Sequence, residues 1–190
     1  MLGSHNSFTY LDSTNAAYNA VSGLWRCQYK TLQEQYKAGV RYFDVRVVLE
    51  KKANKNMWRA AHGEVKLNQL FTSMKAIFEY FKAFSGSIFR LILEDASGKE
   101  EFKAEVEPYI KNPDPICTFI GIKKNWEVLY SGASRPLIDY CYVPIHTGDS
   151  LLENIKNLEL STIKKWAEQH NPTVTPSMLT DNTIYFMDYI

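Results

Sequence analysis

Apolar positions follow two rhythms along the first half of the chain: short unbroken runs, and one longer stretch spaced by three and four. Residues 40–48, Val40-Arg41-Tyr42-Phe43-Asp44-Val45-Arg46-Val47-Val48, are rich in β-branched and aromatic side chains and read as a buried parallel strand. Side chains alternate across a strand, so Asp44 and Arg46 share one face of it. Upstream, residues 28–38 read as a helix that Gly39 stops at its C-terminal cap. After a polar loop from Glu50 to Asn56, Met57 to Ala61 reads as a short strand ending at His62. Leu67, Leu70, Phe71, Met74, Ile77, Phe78 and Phe81 then keep the spacing of one helical face, which Ser85-Gly86-Ser87 ends. Ile88 to Leu93 is the next strand and carries Glu94 and Asp95 at its C-terminal end. Ser97 or Gly98 opens a helix that Pro108 is expected to kink or shorten.

The second half is less regular. Cys117 to Ile122, Trp126 to Tyr130 and Ile138 to Pro144 are candidate strands, with Ser131-Gly132-Ala133-Ser134 as a turn between the last two. A helix is expected over 160–169, and Thr183 to Ile190 closes the chain as a strand with Asp188 near its end. Strands alternating with helices, with polar residues gathered at strand C-termini, predict an α/β fold of the closed barrel type. At 190 residues the chain is short of the ~250 typical of that barrel, so a compact, distorted (β/α) barrel is expected.

Composition narrows the function classes. With 45% hydrophobic and 14% aromatic residues the chain can bury a sizeable core, and a single domain over residues 1–190 is expected. A net charge of +1, from 22 basic and 21 acidic residues, gives no electrostatic signature for nucleic acid. Cys27, Cys117 and Cys141 form no paired spacing and read as buried free thiols. No run reaches the ~18 apolar residues of a membrane span and no signal peptide precedes Gly3, so either an intracellular protein or one whose leader has been removed is expected.

The candidate chemistry sits at the strand ends. His5, in Gly3-Ser4-His5-Asn6-Ser7, and His62, in Ala61-His62-Gly63-Glu64, bracket the strand bearing Arg46. Two histidines and a guanidinium meet the needs of a phosphodiester: a base for the attacking hydroxyl, an acid for the leaving oxygen, and a cation where charge builds on phosphorus. Arg46 suits the last task because a guanidinium donates two parallel hydrogen bonds and stays charged. His146 and His170 read as ordinary core or surface histidines.

These residues, in this order, resemble the X-domain of phosphatidylinositol-specific phospholipases C. The resemblance runs over residues 3–97, through Gly3 to Ser7, Gln35 to Arg46, His62-Gly63 and Leu91-Ile92-Leu93-Glu94. It returns at Tyr185-Phe186-Met187-Asp188-Tyr189-Ile190, which is similar to the family's last barrel strand. It implies a distorted β/α barrel that cleaves a phosphoinositide by internal attack of the inositol hydroxyl, through a cyclic phosphate. It also implies His5 as general base with Asp188 holding its ring, His62 as general acid, Arg46 on the nonbridging oxygens and Asp44 orienting its neighbours. Calcium-dependent relatives use carboxylates on this strand with an Asn and a Glu at the positions of Asn6 and Glu94. Metal-independent bacterial relatives carry Arg in the strand, and Arg46 places this chain closer to them. No cofactor is therefore expected; if calcium is used, Asn6, Asp44 and Glu94 are its ligands.

For substrate contacts the resemblance points to Asn6, Glu94, Lys123, Tyr130 and Tyr142. Leu129 stands where the bacterial enzymes carry a headgroup-binding cation before Tyr130-Ser131-Gly132, which leaves the headgroup open. The implied partner is a phospholipid or a small phosphodiester, with peripheral membrane contact and no nucleic acid. The implied location is secreted or peripheral to a membrane. Two other readings remain: a metal-dependent glycerophosphodiester phosphodiesterase, which Arg46 opposes, and a catalytically silent barrel that binds phospholipid headgroups.

Overall fold

A computed structural model describes residues 1–111, 116–122, 125–131, 141–143 and 183–187. Its strands are β1 (Leu2–Ser4), β2 (Tyr42–Lys52), β3 (Lys55–His62), β4 (Val65–Phe71), β5 (Ile88–Leu93), β6 (Ile116–Ile122), β7 (Asn125–Ser131), β8 (Cys141–Val143) and β9 (Thr183–Met187). Four helices accompany them: α1 (Ala16–Ala20), α2 (Leu32–Lys37), α3 (Met74–Phe81) and α4 (Lys99–Lys111). The strands form one mixed sheet in the order β6-β7-β5-β2-β1-β9-β8, with β3 paired to β2 and β4 to β3. The centre, β5-β2-β1-β9-β8, is parallel throughout, whereas β7 runs antiparallel to β5 and β6 antiparallel to β7. Among the described residues this sheet is an open path from β6 to β8. The expected closed barrel is thus seen only as a mixed α/β sheet with a parallel centre. Among the described residues, strict strand–helix alternation gives way at the β2-β3-β4 meander and the β6-β7 hairpin.

Alternation of side chains divides the central strands into two faces. Phe43, Val45 and Val47 of β2 join Phe89, Leu91 and Leu93 of β5 and Phe78, Phe81, Phe102 and Val106 of the helices in the main core. Aromatic stacking locks this layer, with ring centroids 3.9 Å apart for Phe81 and Phe89 and 4.9 Å for Phe43 and Phe89. The opposite face starts apolar, where Met1, Tyr42, Ile88, Leu129 and Ile184 form a second cluster. Further along each strand it turns polar at Asp44, Arg46 and Arg90. A dry floor and a charged mouth on one face are how a sheet of this type builds a site at its strand C-termini.

Several boundaries differ from expectation for local reasons. The helix expected over 28–38 begins only at Leu32. Thr31 and Glu34 form a capping box there, while Gln28 is buried and uses its amide elsewhere. The strand expected at residues 40–48 starts at Tyr42 and runs on to Lys52, turning into β3 at Ala53 and Asn54, whose φ values are 50° and 60°. Leu67 to Phe71, assigned from their spacing to a long helix, belong to strand β4. Val65, Lys66, Leu67 and Asn68 alternate buried and exposed, and the helix starts where Ser73 caps it by accepting from the Ala76 N–H at 3.2 Å. Helix α4 persists through Pro108 to Lys111, its last turn held by Tyr109 and Ile110 against the core and by Tyr109 on Phe78 at 4.5 Å. All three candidate strands of the second half are present as β6, β7 and β8. The turn at 131–134 lies outside the described residues beyond Ser131, and the helix over 160–169 lies wholly outside them. Among the described residues, no helix is long and apolar enough to cross a membrane.

Glu105 of α4 ties three elements together: Oε1 accepts from Asn56 at 2.9 Å, and Oε2 from the Trp58 indole and the Met74 backbone N–H, each at 3.0 Å. In the turn before α4, Gly98 lies close against β2; a Cβ there would sit 2.7 Å from Leu49 Cβ. Gly98→Ala is expected to lower stability by about 1–3 kcal/mol, read as an earlier denaturant midpoint, because strand backbone and not a flexible side-chain end must give way.

Candidate active site

The site begins with the backbone where the C-terminal end of β1 meets the first residues of β2. The Ser7 N–H donates to the Asp44 carbonyl at 2.7 Å, and the His5 N–H donates to the Met187 carbonyl at 3.2 Å. Between them Asn6 takes a φ of 45°, a left-handed conformation that Asn tolerates better than most residues. Two buried glutamines brace this turn. Gln28 Nε2 donates to the carbonyls of His5 at 3.1 Å and Met187 at 2.7 Å. Gln35 Nε2 donates to the carbonyls of Ser7 at 2.9 Å and Lys30 at 2.6 Å, while its Oε1 accepts from Ser4 Oγ at 2.6 Å. His5 and Asn6 are therefore held by side chains from the α2 region as well as by the sheet.

Asp44 and Arg46 project from the same face of β2, as their spacing predicts. Asp44 is 0% exposed and accepts from Arg46 Nη2 at 2.9 Å and Nε at 3.2 Å on the same oxygen, Oδ2. Arg46 Nη1 reaches across to Glu94 Oε1 at 3.0 Å, and Nη2 lies 3.2 Å from His5 Nε2. Burial works to raise the Asp44 pKa, but Arg46, Arg90 and His5 together hold the carboxyl well below the usual carboxylate range. Arg46 is thereby fixed between two carboxylates, one end turned to the histidine.

His62 arrives from the other side, at the end of β3, where its Nδ1–H donates to the Trp25 carbonyl at 2.6 Å. That bond leaves Nε2 facing the site, where it lies 3.0 Å from Asn6 Nδ2; the same amide nitrogen is 3.1 Å from His5 Nε2. The rings stand edge to face with centroids 6.4 Å apart. Burial, then the charge of Arg46, then His5, push the His62 pKa down to about 3, against the Trp25 carbonyl and Asp44, which favour the charged form. The imidazole is neutral at rest. From about pH 6.5 down to about 3 the unfolded chain binds a proton that the folded chain excludes, so this group makes stability fall as the pH drops across that window. The contribution is on the order of 1–2 kcal/mol by about pH 5, and His62→Gln should flatten that part of the decline in denaturant midpoint from pH 7. An unchanged decline in the variant would mean that His62 protonates as readily folded as unfolded.

The structure brings together His5, Asn6, Asp44, Arg46, His62 and Glu94. Tyr130 is a correction. It pairs with Phe89 across the sheet and stacks on Phe78 at 5.4 Å in the main core, on the face away from the site. One residue of strand parity separates it from Leu129, which faces the other way. Tyr142 lies in β8 by its backbone, whereas Lys123 and Asp188 lie outside the described residues. Sequence reasoning missed Arg90, Gln28, Gln35 and the Trp25 carbonyl. Arg90 was the most legible of these, since it sits two residues before Ile92 and four before Glu94, on the face that register aligns with Asp44.

Asn6, Asp44 and Glu94 do not fit a hard cation in this arrangement. Arg46 engages both carboxylates, and the amide nitrogen of Asn6 points at the two histidines. Among the described residues no three His, Cys, Asp or Glu side chains gather into a metal-binding group. A cavity of about 360 Å³ opens beside Glu94, between Val48, Leu49, Gly63 and Asp95, with Glu64 and Lys66 on its wall.

No protein-family model matches this sequence, and no curated protein matches it. Among solved structures, the phosphatidylinositol-specific phospholipase C from Listeria monocytogenes superposes on 100% of this chain and 87% of its own, with a TM-score of 0.53 at 17% identity. A structure on the modulation of membrane binding of the S. aureus phosphatidylinositol-specific phospholipase C aligns with 59% of this chain and 37% of its own, at a TM-score of 0.40 and 23% identity. The Listeria likeness is one of fold.

Proposed function

We propose that this chain is a phosphodiesterase of the phosphatidylinositol-specific phospholipase C kind, cleaving a phosphoinositide-type diester through a cyclic phosphate. The observation that carries this reading is the convergence of His5 Nε2 and His62 Nε2 on one point, 3.1 and 3.0 Å from the Asn6 amide nitrogen, with Arg46 Nη2 3.2 Å from His5. The Listeria enzyme supports it at the level of fold.

His5 Nε2, an acceptor toward Arg46, takes the proton from a headgroup hydroxyl as its oxygen attacks phosphorus. Asp188, near the chain end, orients the His5 ring and stabilises its charged form. Arg46, held by Asp44 and Glu94, donates to the nonbridging oxygens, where negative charge builds. The bond from phosphorus to the leaving oxygen then breaks, and His62 Nε2 supplies the proton that oxygen needs. His62 is neutral in the unliganded site, and the anionic diester offsets the Arg46 charge that disfavours its protonation. Asn6, Glu94, Lys123 and Tyr142 are the proposed substrate contacts, and the natural substrate is a phospholipid at a membrane surface. The site runs on Arg46 as its cation, without calcium.

Phosphorus NMR during incubation with phosphatidylinositol vesicles, and with a soluble alkyl ester of inositol phosphate, tests the reading. A cyclic phosphate should form before any acyclic monoester. Direct release of an acyclic product would instead favour a glycerophosphodiester phosphodiesterase, and vesicle binding without product a silent headgroup-binding domain.

A further inference from the structure

One amide serves both histidines. Asn6 Nδ2 carries two hydrogens and lies within hydrogen-bond distance of two ring nitrogens, His5 Nε2 and His62 Nε2, with Cys27 Sγ a weaker third neighbour at 3.7 Å. Both ring nitrogens are acceptors in this arrangement. Arg46 can only donate to His5 Nε2, and the Trp25 carbonyl requires the His62 proton to sit on Nδ1. Meanwhile Asn6 Oδ1 is buried and has no hydrogen-bond partner among the described residues, an arrangement that ordinarily carries the full desolvation penalty of the group. A side chain that leaves its own oxygen unpaired in order to direct its nitrogen at two acceptors is arranged for a second state. Once His62 Nε2 carries a proton, two donors would face each other across 3.0 Å, and a half-turn of the amide removes the conflict by offering the unpaired Oδ1.

We propose that Asn6 is a positioning residue that couples the proton states of the two histidines. At rest its N–H groups hold both Nε2 atoms as acceptors, and its amide turns over to accept from His62 when that ring carries the transferable proton. This deepens the phosphodiesterase reading and rests on it for its catalytic meaning, but the coupling itself is a property of the unliganded protein. The other charged or titratable groups facing the pair are Asp44 and Arg46 on β2, Glu94 beyond Arg46, and the Cys27 thiol beside the amide. All of them are unchanged in the variants that test the idea.

The test is imidazole nitrogen NMR of the full chain across pH, for wild type, Asn6→Asp and Asn6→Gly. Both replacements tolerate the positive φ of this position. Wild type should show Nε2 of both rings as unprotonated acceptors at neutral pH. Asn6→Gly removes the donor that favours neutral His62, so His62 should titrate higher. Asn6→Asp replaces it with an acceptor and a charge, so His62 should titrate higher still, at least about one pH unit above wild type. A merely structural Asn6 would leave His62 titrating at the wild-type pH in folded Asn6→Gly, where no charge is added, and that result would overturn the proposal. So would a wild-type His62 protonated on Nε2 at neutral pH. A His62 titration that moves as stated in a protein that turns over no phosphodiester would keep the coupling and reject the enzymatic reading.

Discussion

Arg46→Ala is expected to depress phosphodiester turnover at least about a hundredfold, while a chelator leaves the wild-type rate nearly unchanged. The guanidinium is a positive charge held at the mouth by two carboxylates and turned toward His5, and phosphoryl transfer depends on such a charge where the nonbridging oxygens sit. The substitution has a second cost. It leaves Asp44 buried without the largest of the charges that keep it ionised, and breaking a buried pair from one side costs roughly 3–5 kcal/mol. Activity is therefore compared per folded molecule, with Arg46→Lys as the control. Lysine keeps the charge but, as a compact point charge, cannot reach Asp44, Glu94 and a phosphate in the same plane. Its turnover should fall between alanine and wild type. Loss of activity on chelation, with rescue by calcium, would instead place Asn6, Asp44 and Glu94 in a metal shell and remove Arg46 from the role given to it here.

The site was more legible than the fold around it because its residues obey parity. Asp44 and Arg46 are two apart, so any strand through them puts both on one face, whatever its exact ends. Glu94 follows a run with β-branched and aromatic residues, Ile88 to Leu93, whereas His62 ends a short run, Met57 to Ala61, marked mainly by its apolar character. What failed was the choice of period over residues 67–71, where apolar residues fit both a helical stripe and an alternating strand. Only the cap at Ser73 shows where the helix starts. Tyr130 failed for a related reason. Its strand was expected, but the face it turns outward depends on register against β5, which is a property of the sheet. The buried glutamines were illegible in principle. Gln28 reads as an ordinary helix residue until the carbonyls of His5 and Met187, far from it along the chain, come to meet it.

The two histidines are separated most sharply by the leaving group. A general acid matters in proportion to how poorly the departing oxygen leaves without a proton. Diacylglycerol leaves poorly and nitrophenolate well. If His62 is the acid, His62→Ala should cripple turnover of an alkyl phosphodiester by about a hundredfold or more and spare much of the rate on an aryl ester of the same headgroup. His5→Ala should damage both alike, since the attacking hydroxyl needs its base whatever departs. Each ring has an anchor of its own beside the shared Asn6 amide, His62 on Trp25 and His5 on Arg46, so each substitution leaves the other ring its own anchor. Both variants leave Asp44, Arg46 and Glu94 in place, so the phosphate should still bind. Equal losses for His62→Ala on the two esters, with chemistry rate-limiting, would show that His62 does not deliver the proton; the same result with a large His5→Ala loss would leave the base assigned and the acid to be sought elsewhere in the site.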